Sequence, residues 1–189
     1  MASADNIKAK ALACIDEVES STVSMFPTDT FLGEAVRWVI DIVPVRHLTI
    51  SSTENTKDLP IENDKVTLES NMDGRIVYVK ASDWDRPVTK VIYADDILYR
   101  QQSNPVLRGN PSRPVVAYDK ATKTLELFTT NDTTVTVSYV PYDVANIPTS
   151  LEDITAWKLA EIVLMSISDT QSAAVCSARV NEQLEMLAL

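Results

Sequence analysis

Pro148-Thr149-Ser150-Leu151-Glu152-Asp153-Ile154 opens the stretch that decides the fold, and the stretch runs on to Leu189. Its spacing predicts two helices joined at Ser168-Asp169-Thr170. Thr149 to Glu152 spell a capping box, in which the Thr149 hydroxyl accepts from the Glu152 amide and the Glu152 carboxylate reaches back to the Thr149 amide. Pro148 disfavours helical backbone at the residue before it. From Ile154 onward Trp157, Leu159, Ala160, Ile162, Val163, Leu164, Met165 and Ile167 cover most of the circumference, so this helix expects neighbours on several sides. The second helix carries a narrower stripe, Ala173, Cys176, Val180, Leu184 and Leu187, with Arg179, Glu182 and Glu185 off it. One face of it is wet.

Such a pair needs a partner, and the other end of the chain offers one. Asn6 to Val18 place Ile7, Ala11, Cys14, Ile15 and Val18 on one face, with Lys8, Lys10, Asp16 and Glu17 elsewhere, which is an amphipathic helix. A second helix is expected from Thr28-Asp29-Thr30, whose side-chain oxygens suit the N-cap, to Val43 before Pro44. Gly33 within it leaves room for a close neighbour. His47, the only histidine, follows the helix end, where the helix dipole favours a cation and a structural role is expected. Cys14 and Cys176 are expected as small buried thiols facing a shared core. Two cysteines and one histidine are too few for a disulfide framework or a metal site.

Between these helices the pattern changes to period two. Leu59 to Ile61, Val66 to Leu68, Arg75 to Lys80, Val88 to Ile92, Val115 to Tyr118, Thr124 to Phe128 and Thr134 to Val140 are strand candidates, separated by turn residues, and read as an antiparallel meander. A helical turn is expected at Asp95 to Gln102. Ser103 to Pro114 then holds three prolines and Gly109, and reads as an ordered or partner-bound loop. The expected fold class is therefore α+β. Residues 1–48 and 147–189 form a helical bundle, and residues 49–146 form a large antiparallel β-rich insertion.

Composition narrows the function. The 189 residues carry a formal charge of −10, which argues against a dedicated nucleic-acid binder, because phosphate neutralisation needs clustered Lys and Arg. No run of about twenty apolar residues is present to span a membrane. Met1 to Asp5 lack the charged segment and apolar run of a signal peptide. No serine sits in a nucleophile elbow and no base is placed beside one, so the chain is not expected to be an enzyme. Three scattered glycines, Gly33, Gly74 and Gly109, cannot form a phosphate-cradling loop. The pairs Asp83/Asp85 and Asp95/Asp96 could bind a hard cation, but turn and cap chemistry is the ordinary use of aspartate in such stretches. No catalytic, cofactor or metal residue is assigned.

One cluster stands out in the acidic chain: Arg86, Arg100, Arg108 and Arg113 interleaved with Trp84, Tyr93 and Tyr99. Arginine and aromatic residues are enriched at protein interfaces. The cluster reads either as a contact surface or as arginines that order their own loop by bonding backbone carbonyls. A soluble module that presents these aromatics to a glycan or peptide is the alternative function.

The words Asp83-Trp84-Asp85-Arg86-Pro87-Val88, Tyr99-Arg100-Gln101-Gln102-Ser103-Asn104-Pro105, Arg108-Gly109-Asn110-Pro111 and Arg113-Pro114-Val115-Val116 resemble the central region of the neck ring, or head-to-tail connector, proteins of crAss-like tailed bacteriophages. The order of a helical start, β-rich middle and closing helical pair is similar too. The resemblance implies a structural virion protein at the head-tail junction. Its copies, about twelve in number, would form a closed ring between the portal and the adjacent neck or tail proteins, around a channel that DNA passes without sequence-specific binding. The implied subunit or partner interface comprises Trp84, Arg86, Arg100, Asn104, Arg108, Asn110 and Arg113.

Overall fold

Four long helices make one unit of the chain. They are α1 (Ala4–Val18), α2 (Thr28–Ile42), α4 (Glu152–Ser166) and α5 (Thr170–Ala188). The computed structural model describes residues 1–18, 27–48, 55–128 and 130–188. It divides into two compact units, Met1–Thr49 with Tyr142–Leu189, and Ile50–Pro141, and the fold is α+β. Tyr142 to Asn146, expected from the sequence to belong with the β-rich insertion, group with the helices. The Tyr142 hydroxyl donates to Asp41 at 2.7 Å, and its ring receives the Arg37 guanidinium at 4.7 Å.

Most residues of the helical stripes predicted from spacing are buried, but Met165 and Ile167, expected to face neighbours, are exposed. α1 buries Ile7, Ala11 and Ile15; they join Ala35 of α2, Ala156, Leu159, Ala160, Val163 and Leu164 of α4, and Ala173 and Cys176 of α5 in one core. The alanines keep the backbones close, and the fully buried leucines Leu159 and Leu164 each stabilise by about 1.5 to 3 kcal/mol. α4 is the most enclosed helix, although Trp157 on it is only partly buried. Lys158 lies over the Trp38 ring at 4.4 Å and pairs with Glu161 at 2.9 Å. Burial pushes the Cys176 thiol up to about 12 and Cys14, partly buried against the same core, up to about 11. Both thiols are free.

The start of α4 departs from the expected capping box. The Glu152 amide donates to the Thr149 backbone carbonyl, closing a 3-10 turn over Thr149–Leu151. The Glu152 carboxylate is held instead by Lys10 of α1 at 3.1 Å, and the same ammonium reaches Asp153 at 2.6 Å. A charged partner from across the bundle outcompetes a local amide. α2 has Pro27 at its N-cap, which offers no side-chain acceptor, and Asp29, one residue inside the helix start, pairs with Lys8 at 2.8 Å. Gly33 has no atom within 4 Å of where a Cβ would stand, so no close neighbour explains it. His47 ends a 3-10 turn after α2, with Nε2 at 3.1 Å from the Leu187 carbonyl.

The joint at Ser168 forms where the sequence places it. Ser168 takes a positive φ of 66°, the left-handed turn that ends many helices, and the Asp169 amide returns to the Leu164 carbonyl at 3.0 Å. Asp169 then caps α5 by accepting from the Ser172 amide at 3.1 Å, and bonds to Ser172 hold its carboxyl below the usual carboxylate value.

Among the described residues the second unit holds two three-stranded antiparallel sheets. β1 (Thr56–Pro60), β6 (Thr134–Pro141) and β3 (Gly74–Ala81) form one, with β6 in the centre; β2 (Lys65–Thr67), β5 (Thr124–Phe128) and β4 (Val115–Asp119) form the other around β5. The expected meander is corrected: only β4 and β5 are neighbours both in sequence and in a sheet. Leu59 pairs with Val135 and Val79 with Val137, and a register shift between Ile76 and Tyr78 bends β3. Gly74 is required, since a Cβ there would stand 2.3 Å from the Val140 carbonyl oxygen. The two sheets bury one core, built from Leu59, Val66, Val79, Val116, Leu125, Leu127, Val135, Val137 and others. Val88 to Ile92, expected as a strand, makes only single bridges, Val88 to Val79 and Ile92 to Ala117.

Candidate functional site

The segment between β3 and β4 carries the predicted interface residues. It leaves β3 through a tight turn in which the Trp84 amide donates to the Ala81 carbonyl. Trp84 itself is 2% exposed and belongs to the sheet core, and its carbonyl accepts from Lys80. This corrects its place among the interface residues: the ring is a structural anchor of the segment, and it cannot be offered to a glycan, a peptide or a second protein while the unit is folded. Carboxylates near it hold the loop. Asp83 accepts from the Thr130 hydroxyl and the Asn131 amide, each at 2.9 Å, and Asp85 accepts from the Ser112 hydroxyl.

Asp96 caps the short helix α3 (Ile97–Gln101) by accepting from the Leu98 amide at 2.9 Å, as aspartate does at an N-cap. Gln102, 7% exposed, then clamps the loop. Its Oε1 accepts from the Gly109 amide and its Nε2 donates to the Leu98 carbonyl, both at 2.8 Å. Gly109 is needed at this clamp, because an added Cβ would meet Val115 at 3.1 Å. Asn104 and Asn110 fold the chain back on itself. The Asn104 oxygen accepts from the Val106 amide at 3.0 Å, and the Asn110 oxygen from the amides of Ser112 and Arg113 at 3.0 and 2.9 Å. Both asparagines precede proline, a pairing that initiates turns. Their side-chain oxygens order the loop.

The arginines do none of this work. Arg86, Arg100, Arg108 and Arg113 are exposed, and the loop's order comes from Asp83, Asp85, Asp96, Gln102, Asn104 and Asn110. Among the described residues none of the four guanidinium groups makes an ion pair or a hydrogen bond. The reading in which they order their own loop therefore loses its contacts. Beside them stand four apolar side chains that spacing alone did not single out: Ile97 is 70% exposed and Val106 88%, with Leu98 and Leu107 also exposed. Single exposed apolar residues are ordinary; four within eleven positions of one ordered segment are a local concentration of them. The signal in the sequence was weak: aliphatic residues set in an Asn, Pro and Ser tract with no period.

The aromatics divide. Tyr99 is partly buried, edge-on to Phe128 with ring centres 6.0 Å apart, and donates to Glu126 at 2.9 Å; that bond raises its pKa. Tyr93 is exposed, with Lys120 over its ring at 5.2 Å. A small cleft beside Tyr99 is lined by Lys65, Tyr118, Asp119 and Glu126. No three His, Cys, Asp or Glu side chains among the described residues converge as metal ligands, and no helix among them is long and apolar enough to cross a membrane. No protein-family model matches the chain, and no curated protein matches it in sequence.

Proposed function

We propose that the chain is a structural virion protein, a ring-forming head-to-tail connector subunit of the phage neck, working by contact with its own copies, with the portal and with the adjacent neck or tail protein. One observation carries the reading. The segment from Ile97 to Arg113 is folded by the buried Gln102 clamp and by asparagine turns and yet presents unpaired guanidinium groups and exposed aliphatics, a combination suited to protein contact. The resemblance of the words around it to neck ring proteins gives that contact a setting, the junction of head and tail. A formal charge of −10 suits a ring around a channel through which DNA slides without sticking, since released counterions reward only cationic surfaces. Burial of Trp84 weakens the case for a glycan- or peptide-binding module, whose ligand would need that ring.

Mass photometry of the purified full chain, alone and with portal protein, tests the proposal. A closed oligomer of about twelve copies that joins portal is the expected result. A strict monomer that joins neither portal nor the neighbouring tail protein overturns it.

A further inference from the structure

We propose that the Ile97–Arg113 ridge of one copy docks on an acidic, apolar end of the helical unit of a second copy, so that the chain assembles head to tail. This rests on the ring-subunit reading and adds the two surfaces that meet.

The charges of the chain are unevenly divided. The helical unit holds six Lys and Arg against fourteen Asp and Glu, the β unit eleven against thirteen. The few cations of the helical unit are also engaged: Lys8, Lys10, Lys158 and Arg179 pair with its own carboxylates, Arg37 covers Tyr142, and Arg46 donates to the Leu187 carbonyl at 3.1 Å. An uncompensated acidic surface is left. The ridge is the reverse case, with four exposed arginines nearby and the carboxylates of Asp83, Asp85 and Asp96 turned to loop amides and hydroxyls.

One end of the bundle matches the ridge in both respects. The last turn of α1 meets the first turn of α5 where the Ser172 hydroxyl lies 3.5 Å from the Val18 carbonyl, and the α4–α5 joint closes beside it. Asp16 and Glu17 stand there exposed, with no ion pair among the described residues. On either side of the α4–α5 joint Met165, Ile167 and Val175 are 56%, 40% and 46% exposed. The two surfaces are thus opposite in charge and alike in bearing bare aliphatics, which suits steering by charge and holding by apolar burial. They are also different surfaces, so the contact is heterologous; repeated around an axis it closes a ring, and without closure it makes a filament. A nucleic acid would meet the arginines only against the repulsion of the acidic remainder.

The test uses two full-length variants, Arg100→Glu with Arg108→Glu, and Asp16→Lys with Glu17→Lys. All four side chains are exposed, and unchanged circular dichroism melts verify folding. Sedimentation velocity should show self-association weakened at least tenfold in each variant. An equal mixture of the two should assemble again, in alternating copies, because the intact ridge meets the intact end and the reversed ridge meets the reversed end. Carrying all four reversals in one chain should restore assembly. Undiminished assembly in both variants overturns the docking surfaces while leaving the ring reading in place. A wild-type chain that stays monomeric yet joins portal overturns the docking and leaves the connector role. A wild-type chain that does neither overturns both.

Discussion

The helical unit and the segment between β3 and β4 handle polar residues in opposite ways. In the helical unit charged side chains tie elements to one another: Lys8 joins α1 to Asp29 of α2, and Lys10 joins α1 to Glu152 and Asp153 of α4. In the β unit the segment between β3 and β4 is organised by neutral amides and short carboxylates bonding backbone, while its arginines stay out of the structure. A cation used as a tie serves folding, and a cation left free remains available for contact. Substitutions in the two regions should therefore differ in what they disturb, folding in one and assembly in the other.

Buried anchors carry the largest expected effects. Trp84→Ala should destabilise the β unit by about 3 to 5 kcal/mol, the range for removing an aromatic from a packed core, measured by urea unfolding followed in the far ultraviolet. A loss below about 1 kcal/mol would return Trp84 to the surface and to the contact residues. Leu159→Ala should cost the helical unit about 2 to 5 kcal/mol. Trp157→Ala should cost less than Leu159→Ala, since Trp157 is only partly buried.

Periodicity made the helices legible, because Ile7, Ala11 and Ile15, or Ala173, Cys176 and Val180, return to one face whatever the rest of the chain does. Alternation likewise marked the strands. It could not pair them, since an alternating strand fits any antiparallel neighbour that buries the same face, and β6 finds β1 and β3 across long intervals. Local motifs failed where a distant charge competed, as when Lys10 took the Glu152 carboxylate from its capping box. Nothing local gives the side that Trp84 takes, because it sits in a turn-rich stretch with no period. The asparagine turns at Asn104 and Asn110 were within reach, each being an Asn-Pro pair. The clamp by Gln102 was not, since nothing in the sequence says which amide seven residues on it will meet.

Smaller effects sharpen the comparison within each unit. Gln102→Ala removes two bonds of a buried amide and should cost about 1 to 3 kcal/mol. Hydrogen exchange should speed up at Gly109 while the sheet cores keep their protection. A change spread evenly over the β unit would deny the segment its own clamp. Alkaline pH should separate the units. The thiols ionise at an ordinary 9.0 when unfolded but are pushed up to about 11 and about 12 in the helical core, so the folded state holds protons that the unfolded state has lost. Their contribution is fully present below pH 9 and is lost as pH rises through 11 to 12. Only the helical unit contains cysteine, so its stability should fall first. Acid works with the opposite sign. Bonds from Ser82 and Thr122 hold Asp132 and Asp119 below their ordinary values, so their contribution is present above about pH 4 and lost as pH falls further.

The smallest effect on folding is the most informative. Arg108→Ala should leave the stability of the β unit within about 0.5 kcal/mol, as for exposed residues without structural partners. The loop around Arg108 is closed by its own amide bonding the Asn104 carbonyl at 2.8 Å and by the Gln102 clamp, and alanine keeps both. The same substitution should weaken assembly, measured by sedimentation on the same preparation. Loss of assembly with folding intact is what a free cation on a contact surface does. Unfolding of this variant would make the guanidinium a structural tie like Lys10, and the contrast between the two regions would fall with it.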